Sequence, residues 1–387
     1  MERKIEEHKF IIMCGDHYNP LGLIRSLGEK NIKPIVILVA LHPILLNKCK
    51  YIGELYIVKD KEEGYKLLLQ KFSHEDLKPF LYTASDEIAS FYDTHYDELK
   101  DRFYLFHGKE TGILTKYMNK DSINKLAIKH GCNVLNSVVV NRGELPKSLN
   151  YPVITKAITP TLYAWKDDMF ICNSEEELKK AFKKIRSEQV LIQEYIHKKN
   201  ELCLDGFSYN NGNNIEIPYY STYLRFTNIC YGGYITLKPF QDETLKSQIK
   251  SILSEIGYNG IFEVEFLVDK NDKLYFLEVN LRNSGWSYAY TYGGYNMPYL
   301  WAKATLEGKI NLSSIKPIKE FTAICELDDY DQFIKNGKIN LFKWFKELKQ
   351  TDVLLLWSKQ DKKPAKVYWT RRLLMMPINK IRKILKI

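Results

Sequence analysis

Two apolar, aromatic-rich runs enclose the polar turn Asp-Lys-Asn-Asp at 269–272 in the stretch FEVEFLVDKNDKLYFLEVNLRNSGW, Phe262 to Trp286. Runs of this kind around such a turn form a β-hairpin. A turn centred there sets Glu265 opposite Glu278 and Glu263 opposite Asn280. Side chains alternate along a strand, so Glu263, Glu265, Glu278, Asn280 and Arg282 share one face, and Phe, Val and Leu side chains take the other. Carboxylates directly opposite each other, with Cβ atoms roughly 5 Å apart, destabilise a sheet unless a cation lies between them. Oxygen donors without His or Cys suit Mg²⁺ or Mn²⁺ better than Zn²⁺, and Mg²⁺ commonly completes its shell with nucleotide phosphates. A solvated hairpin would also carry such residues on its outer face. The apolar opposite face and the continuation into Arg-Asn-Ser-Gly at 282–285 argue for burial instead.

The run FLEVNLRNSG resembles the signature of the ATP-grasp superfamily, a Glu-x-Asn-x-Arg strand end with a metal-binding Glu on the neighbouring strand. On that resemblance Glu265 and Glu278 match the metal carboxylates, Asn280 the third ligand, and Arg282 the cation facing the reacting phosphoryl group. Glu263 lies outside the family pattern, either behind the ligands or exposed. The likeness extends over roughly 10–310, with its specific motifs within 116–290.

Earlier in the chain, KFIIMCGDHYNPLGLIRSLGEKNIKPIVIL reads as a strand, a loop, a helix and a strand, the opening of a parallel α/β sheet. Gly15 and Gly22 are too far apart for a dinucleotide fingerprint. PFLYTASDEIASFYDTH repeats the pattern, with Ser85, Asp86 and Glu87 at a helix start. They are helix caps or, because strand-end loops carry the site in open α/β sheets, substrate contacts. In YMNKDSINKLAIKHGCNVLNS the helix start signal is Asp121 and the stop is Gly131. Lys120 there resembles the family's lysine near the nucleotide, with Asn119 in place of an Asp; the alternative is a surface lysine.

Lys156 ends the apolar strand YPVITK, where a lysine has no packing role, and the resemblance gives it to the ATP phosphates. The family's glycine-rich lid is absent. AITPTLYAW follows, so any lid uses Thr159, Thr161 or their backbone. VLIQEYIHKKNELCLD resembles the adenine-binding hinge, with backbone groups at Glu194, Tyr195 and Ile196 for the adenine edge and Glu201 for the ribose hydroxyls; Gln193 is a sheet-edge residue or a contact. Arg225 and Lys238, in a Tyr-rich strand region, are candidates for a phosphate or substrate carboxylate, or surface residues.

A chain of 387 residues with 45% hydrophobic and 27% charged residues is globular and large enough for two or three units. These are expected at 1–115 (a parallel-sheet domain preceding the nucleotide domain), 116–312 (the ATP-grasp domain) and 313–387, giving an α/β (α+β) fold. Seven scattered cysteines without C-x-x-C spacing point to buried thiols, not disulfides or zinc. No signal pattern or run of about 18 apolar residues is present, so a cytoplasmic protein is expected. The net charge of +10 favours an anionic partner but comes with no nucleic-acid motif. The tail Trp369 to Ile387 carries six Lys or Arg and no Asp or Glu. It is either a peripheral contact with the inner face of an anionic membrane or a terminal helix packed on the body, and Pro377 should split it into two helical pieces.

The activity implied is an ADP-forming carboxylate–amine ligase using ATP and Mg²⁺ (or Mn²⁺), close to the D-aspartate ligase-like, cell-envelope branch. Its substrates would be a small molecule or envelope precursor bearing a carboxylate, plus an amine, with no nucleic acid. The competing class is a non-catalytic nucleotide- or glycan-binding protein that kept the fold.

Overall fold

The computed structural model describes residues 4–158, 168–227 and 231–385. Its first sheet has five strands, all parallel, in the order Glu54–Val58, Ile35–Val39, Phe10–Cys14, Phe80–Tyr82, Tyr104–Leu105. The middle strand, Phe-Ile-Ile-Met-Cys, is buried along its whole length, as a strand covered on both faces must be. From that strand the chain builds outward in one direction and then returns to place Phe80–Tyr82 on the other side. Loops leaving the carboxyl ends of Phe10–Cys14 and Phe80–Tyr82 therefore diverge, and an open sheet offers a crevice at such a point. Residues 15–17 and 83–85 form its rims, followed by the Tyr18–Gly28 and Asp86–Thr94 helices.

A second, antiparallel sheet orders Ser137–Asn141, Gln189–Glu194, Val153–Ala157 and Ile171–Cys172. The third has seven strands: Leu274–Asn280, Gly260–Val268, Asn200–Tyr209, Asn214–Phe226, Tyr231–Pro239, Phe321–Ile324 and Val353–Leu354. Its first two form the expected hairpin, with Glu265 opposite Glu278 and Glu263 opposite Asn280. Past Glu265 the register slips, so that Phe266 faces Phe276 and Leu277 is the extra residue of a bulge. The bulge lets both the acidic pairs and the Phe266–Phe276 contact, 5.8 Å between ring centres, keep their faces.

Two expectations are corrected. The cap of the Lys120–Lys129 helix is Asn119, whose side chain accepts from the N–H groups of Asp121 and Ser122; Asp121 itself lies inside the first turn. The Lys363–Leu385 helix runs through Pro377 without dividing. An interior proline removes one hydrogen bond at about 3 kcal/mol, but the turns before it are anchored, with Trp369 edge-on to Tyr330 and Trp344 and Arg372 paired with Asp331, so the helix needs no second nucleation. The residues from 313 onward add the last two strands to the seven-stranded sheet, and Asp361 takes the fully buried Arg25 of the first unit at 3.1 Å. The six described cysteines are buried and free. Among the described residues no helix is long and apolar enough to cross a membrane.

Candidate active site

On the hairpin face, Asn280 Nδ2 donates to Glu263 Oε2 and Glu265 Oε1, each at 3.1 Å. Lys120, at the start of its helix, bonds Glu278 Oε2 and is buried, not on the surface. Arg282, just past the strand, spans two units: Nε and Nη2 reach the two oxygens of Asp86 at 3.0 and 3.3 Å, and Nη1 lies 3.5 Å from Glu263 Oε2. Lys156 donates to Gln193 at 2.9 Å from the adjacent strand of the four-stranded sheet. Thus Lys120, Glu278, Glu265, Asn280, Glu263, Arg282 and Asp86 converge, and the charges of Glu278 and Lys120 also reach Lys156.

The electrostatics are uneven. Burial pushes the Glu278 carboxyl up, but the Lys120 ammonium, with Lys156 and Arg282 behind it, outweighs burial and holds it at about 2. Glu265 goes the other way: burial, then the charges of Glu278 and Glu263, push it well above the carboxylate range. Burial also raises Glu263, against the opposing Arg282. Lys156 is lowered to about 8, by burial first and the Lys120 charge second. The face therefore holds one compensated carboxylate and one that lacks a full counter-charge, flanked by an amide. This donor set, all oxygen once Asn280 presents Oδ1, fits a hard divalent cation. Among the described residues no three His, Cys, Asp or Glu converge as a metal cluster, so such a cation depends on the amide and on non-protein oxygens. A cleft of about 10 Å³ remains beside Asp86, Lys120, Glu278 and Asn280, no more than one water's room.

Other expected residues divide. Glu201, buried, accepts from Lys198 at 2.6 Å, and its charge is felt by both Glu265 and Lys156. The N–H groups of Glu194 and Tyr195 are taken by Asn136 O and Pro152 O at 2.8 and 3.0 Å. That leaves an adenine edge to other backbone groups of the hinge, including Ile196. Ser85 makes no side-chain cap bond, and Asp86 is committed to Arg282. Arg225 and Lys238 are not brought to the site. Arg225 pairs with Asp329 and Glu347, each at 2.8 Å, and Lys238 with Glu320 at 3.2 Å. All three acids come from the C-terminal segment, which supplies carboxylates that a local reading of the strand does not anticipate. The lid residues Thr159 and Thr161 lie outside the described residues.

Several participants were missed. Lys198 is nearly sealed, with a side chain 5% exposed. Asp205 lies across the ladder from Glu263 and is bonded by Ser284; burial and the Glu263 charge raise its carboxyl well above the usual range. The signal for Asp205 is the alternation Glu201, Cys203, Asp205 in a strand neighbouring the hairpin, legible only once strand order is known. Glu263, left open between a supporting and an exposed position, is buried.

Comparison with known proteins bears on this arrangement. Residues 125–292 match the ATP-grasp domain family. N5-carboxyaminoimidazole ribonucleotide synthase of Staphylococcus aureus is 29% identical over 143 residues, 36% of this chain and 37% of the relative, so the match spans little over a third of that protein's length. D-aspartate ligase of Enterococcus faecium is 23% identical over 332 residues, 77% of each chain. Among solved structures, the Staphylococcus aureus N5-carboxyaminoimidazole synthetase complexed with ADP has a TM-score of 0.64 at 19% identity, covering 88% of this chain and 86% of that one. An L-amino acid ligase from Bacillus licheniformis also scores 0.64, at 14% identity over 81% and 79%.

Proposed function

We propose, from the match of residues 125–292 to the ATP-grasp domain family and the likeness of the fold to solved ligases, that the protein is an ADP-forming ligase that joins a carboxylate to an amine. The single observation carrying the reading is the convergence of Glu265, Glu278 and Asn280 with Lys120 and Arg282 on one buried face. Charges gathered on a buried face carry a desolvation penalty, and an anionic ligand with its cation would make use of them.

In the proposed reaction a substrate carboxylate oxygen attacks the γ-phosphorus of ATP and ADP leaves. The amine nitrogen then attacks the acyl phosphate carbon, the C–O bond to phosphate breaks, and the nitrogen sheds its proton. Phosphoryl transfer depends chiefly on alignment and charge neutralisation. Lys156 and Lys120 supply positive charge for the phosphates, and Arg282, held in orientation by Asp86, faces the oxygens that gain charge. Glu201 and the hinge around Glu194 to Ile196 are assigned to the ribose and adenine. Mg²⁺ or Mn²⁺ held by Glu265, Glu278 and Asn280 would neutralise phosphate charge.

The finer reading is an amino acid or cell-envelope precursor as the carboxylate substrate, in a cytoplasmic enzyme with units at 1–115, 116–312 and 313–387. It is supported by the resemblance to D-aspartate ligase along 77% of the chain. The test is incubation with ATP, Mg²⁺, pooled amino acids and envelope precursors, followed by ADP release and product mass. ADP release that depends on an acid and an amine together is expected. No ADP with any pair, despite nucleotide binding, would favour a protein that binds nucleotide without turnover.

A further inference from the structure

Helices on a protein surface normally turn their apolar stripe inward. The Leu341–Gln350 helix, LFKWFKELKQ, does the reverse with three of its large apolar side chains. Only Trp344 is buried; Leu341 is 49%, Phe345 51% and Phe342 84% exposed. Positions 341, 342 and 345 lie on one side of a helix, since residues three and four apart are neighbours. The side bearing Trp344 is the anchored one: its indole N–H donates to Asp329 at 2.8 Å and its ring meets Tyr330 and Trp369. One turn beyond Trp369, Leu373 and Leu374 are 61% and 69% exposed.

Around this apolar patch basic side chains outnumber acidic ones. Residues 335–350 hold Lys335, Lys338, Lys343, Lys346 and Lys349 against the single acid Glu347. Glu347 is turned toward Arg225 at 2.8 Å, and nearby Asp329 and Asp331 are engaged by Arg225 and Arg372. The neighbouring stretch 359–372 adds Lys359, Lys362, Lys363, Lys366, Arg371 and Arg372, and its one acid, Asp361, is buried on Arg25. Asp329 and Glu347 thus turn toward Arg225, while Asp331 stays at the surface between Arg372 and Lys335, and lysines remain in excess around the aromatic side chains.

We infer that the outer face of the Leu341–Gln350 helix is a docking surface for an anionic phospholipid bilayer, with Leu341, Phe342 and Phe345 entering the interface and the surrounding lysines on the headgroups. Charge complementarity selects this occupant. Apolar burial plus attraction of basic side chains to anionic lipid is the composition of an interfacial helix, and neither part suffices alone. The inference is independent of the ligase reading, because it concerns a face that shares no residue with the nucleotide site.

The experiment is flotation of the full chain, without nucleotide, on phosphatidylcholine vesicles with and without phosphatidylglycerol, at low and high salt. Binding only to the phosphatidylglycerol vesicles, released by salt, is expected. The double variant Phe342→Ser/Phe345→Ser should lose roughly tenfold or more in vesicle partition with unchanged thermal unfolding, since neither ring is buried. Lys343→Glu/Lys346→Glu should abolish the salt-sensitive part without removing any apolar side chain, which keeps the proposal testable if the serine variant misfolds. The proposal is overturned if wild type ignores anionic vesicles at low salt, or if both variants float as well as wild type. It is also overturned if wild type sediments as a dimer that the serine variant reduces to a monomer, which would make a second copy the occupant.

Discussion

Glu265 and Glu278 face each other across one ladder and yet ionise in opposite senses, because only Glu278 has a lysine on it. Glu278→Gln removes a charge but keeps shape, so ADP formation should be lost while circular dichroism shows the chain still folded, with thermal unfolding lowered because the buried Lys120 ammonium loses its counter-charge. Wild-type turnover in that variant would refute the hairpin assignment. Lys156 gives a pH signature. Its ammonium titrates at about 8 rather than at the 10.5 of an ordinary lysine. The penalty on its buried charge is therefore fully felt below about 8, and folding stability recovers as pH rises from there toward 10.5. Nucleotide affinity should move the other way, falling as the ammonium is lost above pH 8. Calorimetric ATP titrations from about pH 7 to about 9.5 should show that fall in wild type and a flat profile in Lys156→Arg. Equal profiles would exclude Lys156 as the phosphate cation.

At the scale of elements, Arg282 is aimed by a clamp between units as much as by its strand. Asn19, in the first turn of the Tyr18–Gly28 helix, and Asn283 bond reciprocally: Asn283 Nδ2 donates to Asn19 Oδ1 at 2.7 Å and Asn19 Nδ2 to Asn283 O at 3.0 Å. The N–H of Asn283 also donates to Thr83 O at 3.3 Å. Buried polar groups stripped of a partner cost about 1–3 kcal/mol each. Asn19→Ala should therefore lower stability by about that much in urea unfolding and depress turnover more than ATP affinity. Asn19 lies far from Lys156 in sequence and touches the loop that carries Arg282. An unchanged turnover number would mean that Asp86 alone orients the guanidinium.

Across the whole molecule, the C-terminal segment acts as a brace. Arg25, with no exposure, pairs with Asp361 and also donates to the carbonyls of Leu355, Leu356 and Asp361 at 2.9 to 3.0 Å. Breaking a buried pair by removing one partner costs about 3–5 kcal/mol, because the other charge stays buried and uncompensated. Arg25→Ala should lower unfolding free energy by that amount, read in urea titration, and free the C-terminal segment for limited proteolysis. A loss below about 1 kcal/mol would show that the segment is held by its strands alone.

The hairpin, its acidic face and the opening parallel sheet followed from the sequence itself, because strand alternation and a polar turn are local rules that need no knowledge of neighbours. The same locality explains the errors. Asn119 rather than Asp121 caps its helix by a difference of two residues, and Pro377 lies in a helix whose start is anchored by packing on Trp344 and Tyr330. The partners of Arg225 and Lys238, the Asn19–Asn283 clamp, the Asp86–Arg282 pair and the burial of Arg25 link residues from tens to hundreds of positions apart. The charge on a side chain is written in the sequence. Which opposite charge compensates it, and so whether it remains available to a ligand, depends on which strands and helices become neighbours, and only the tertiary structure decides that.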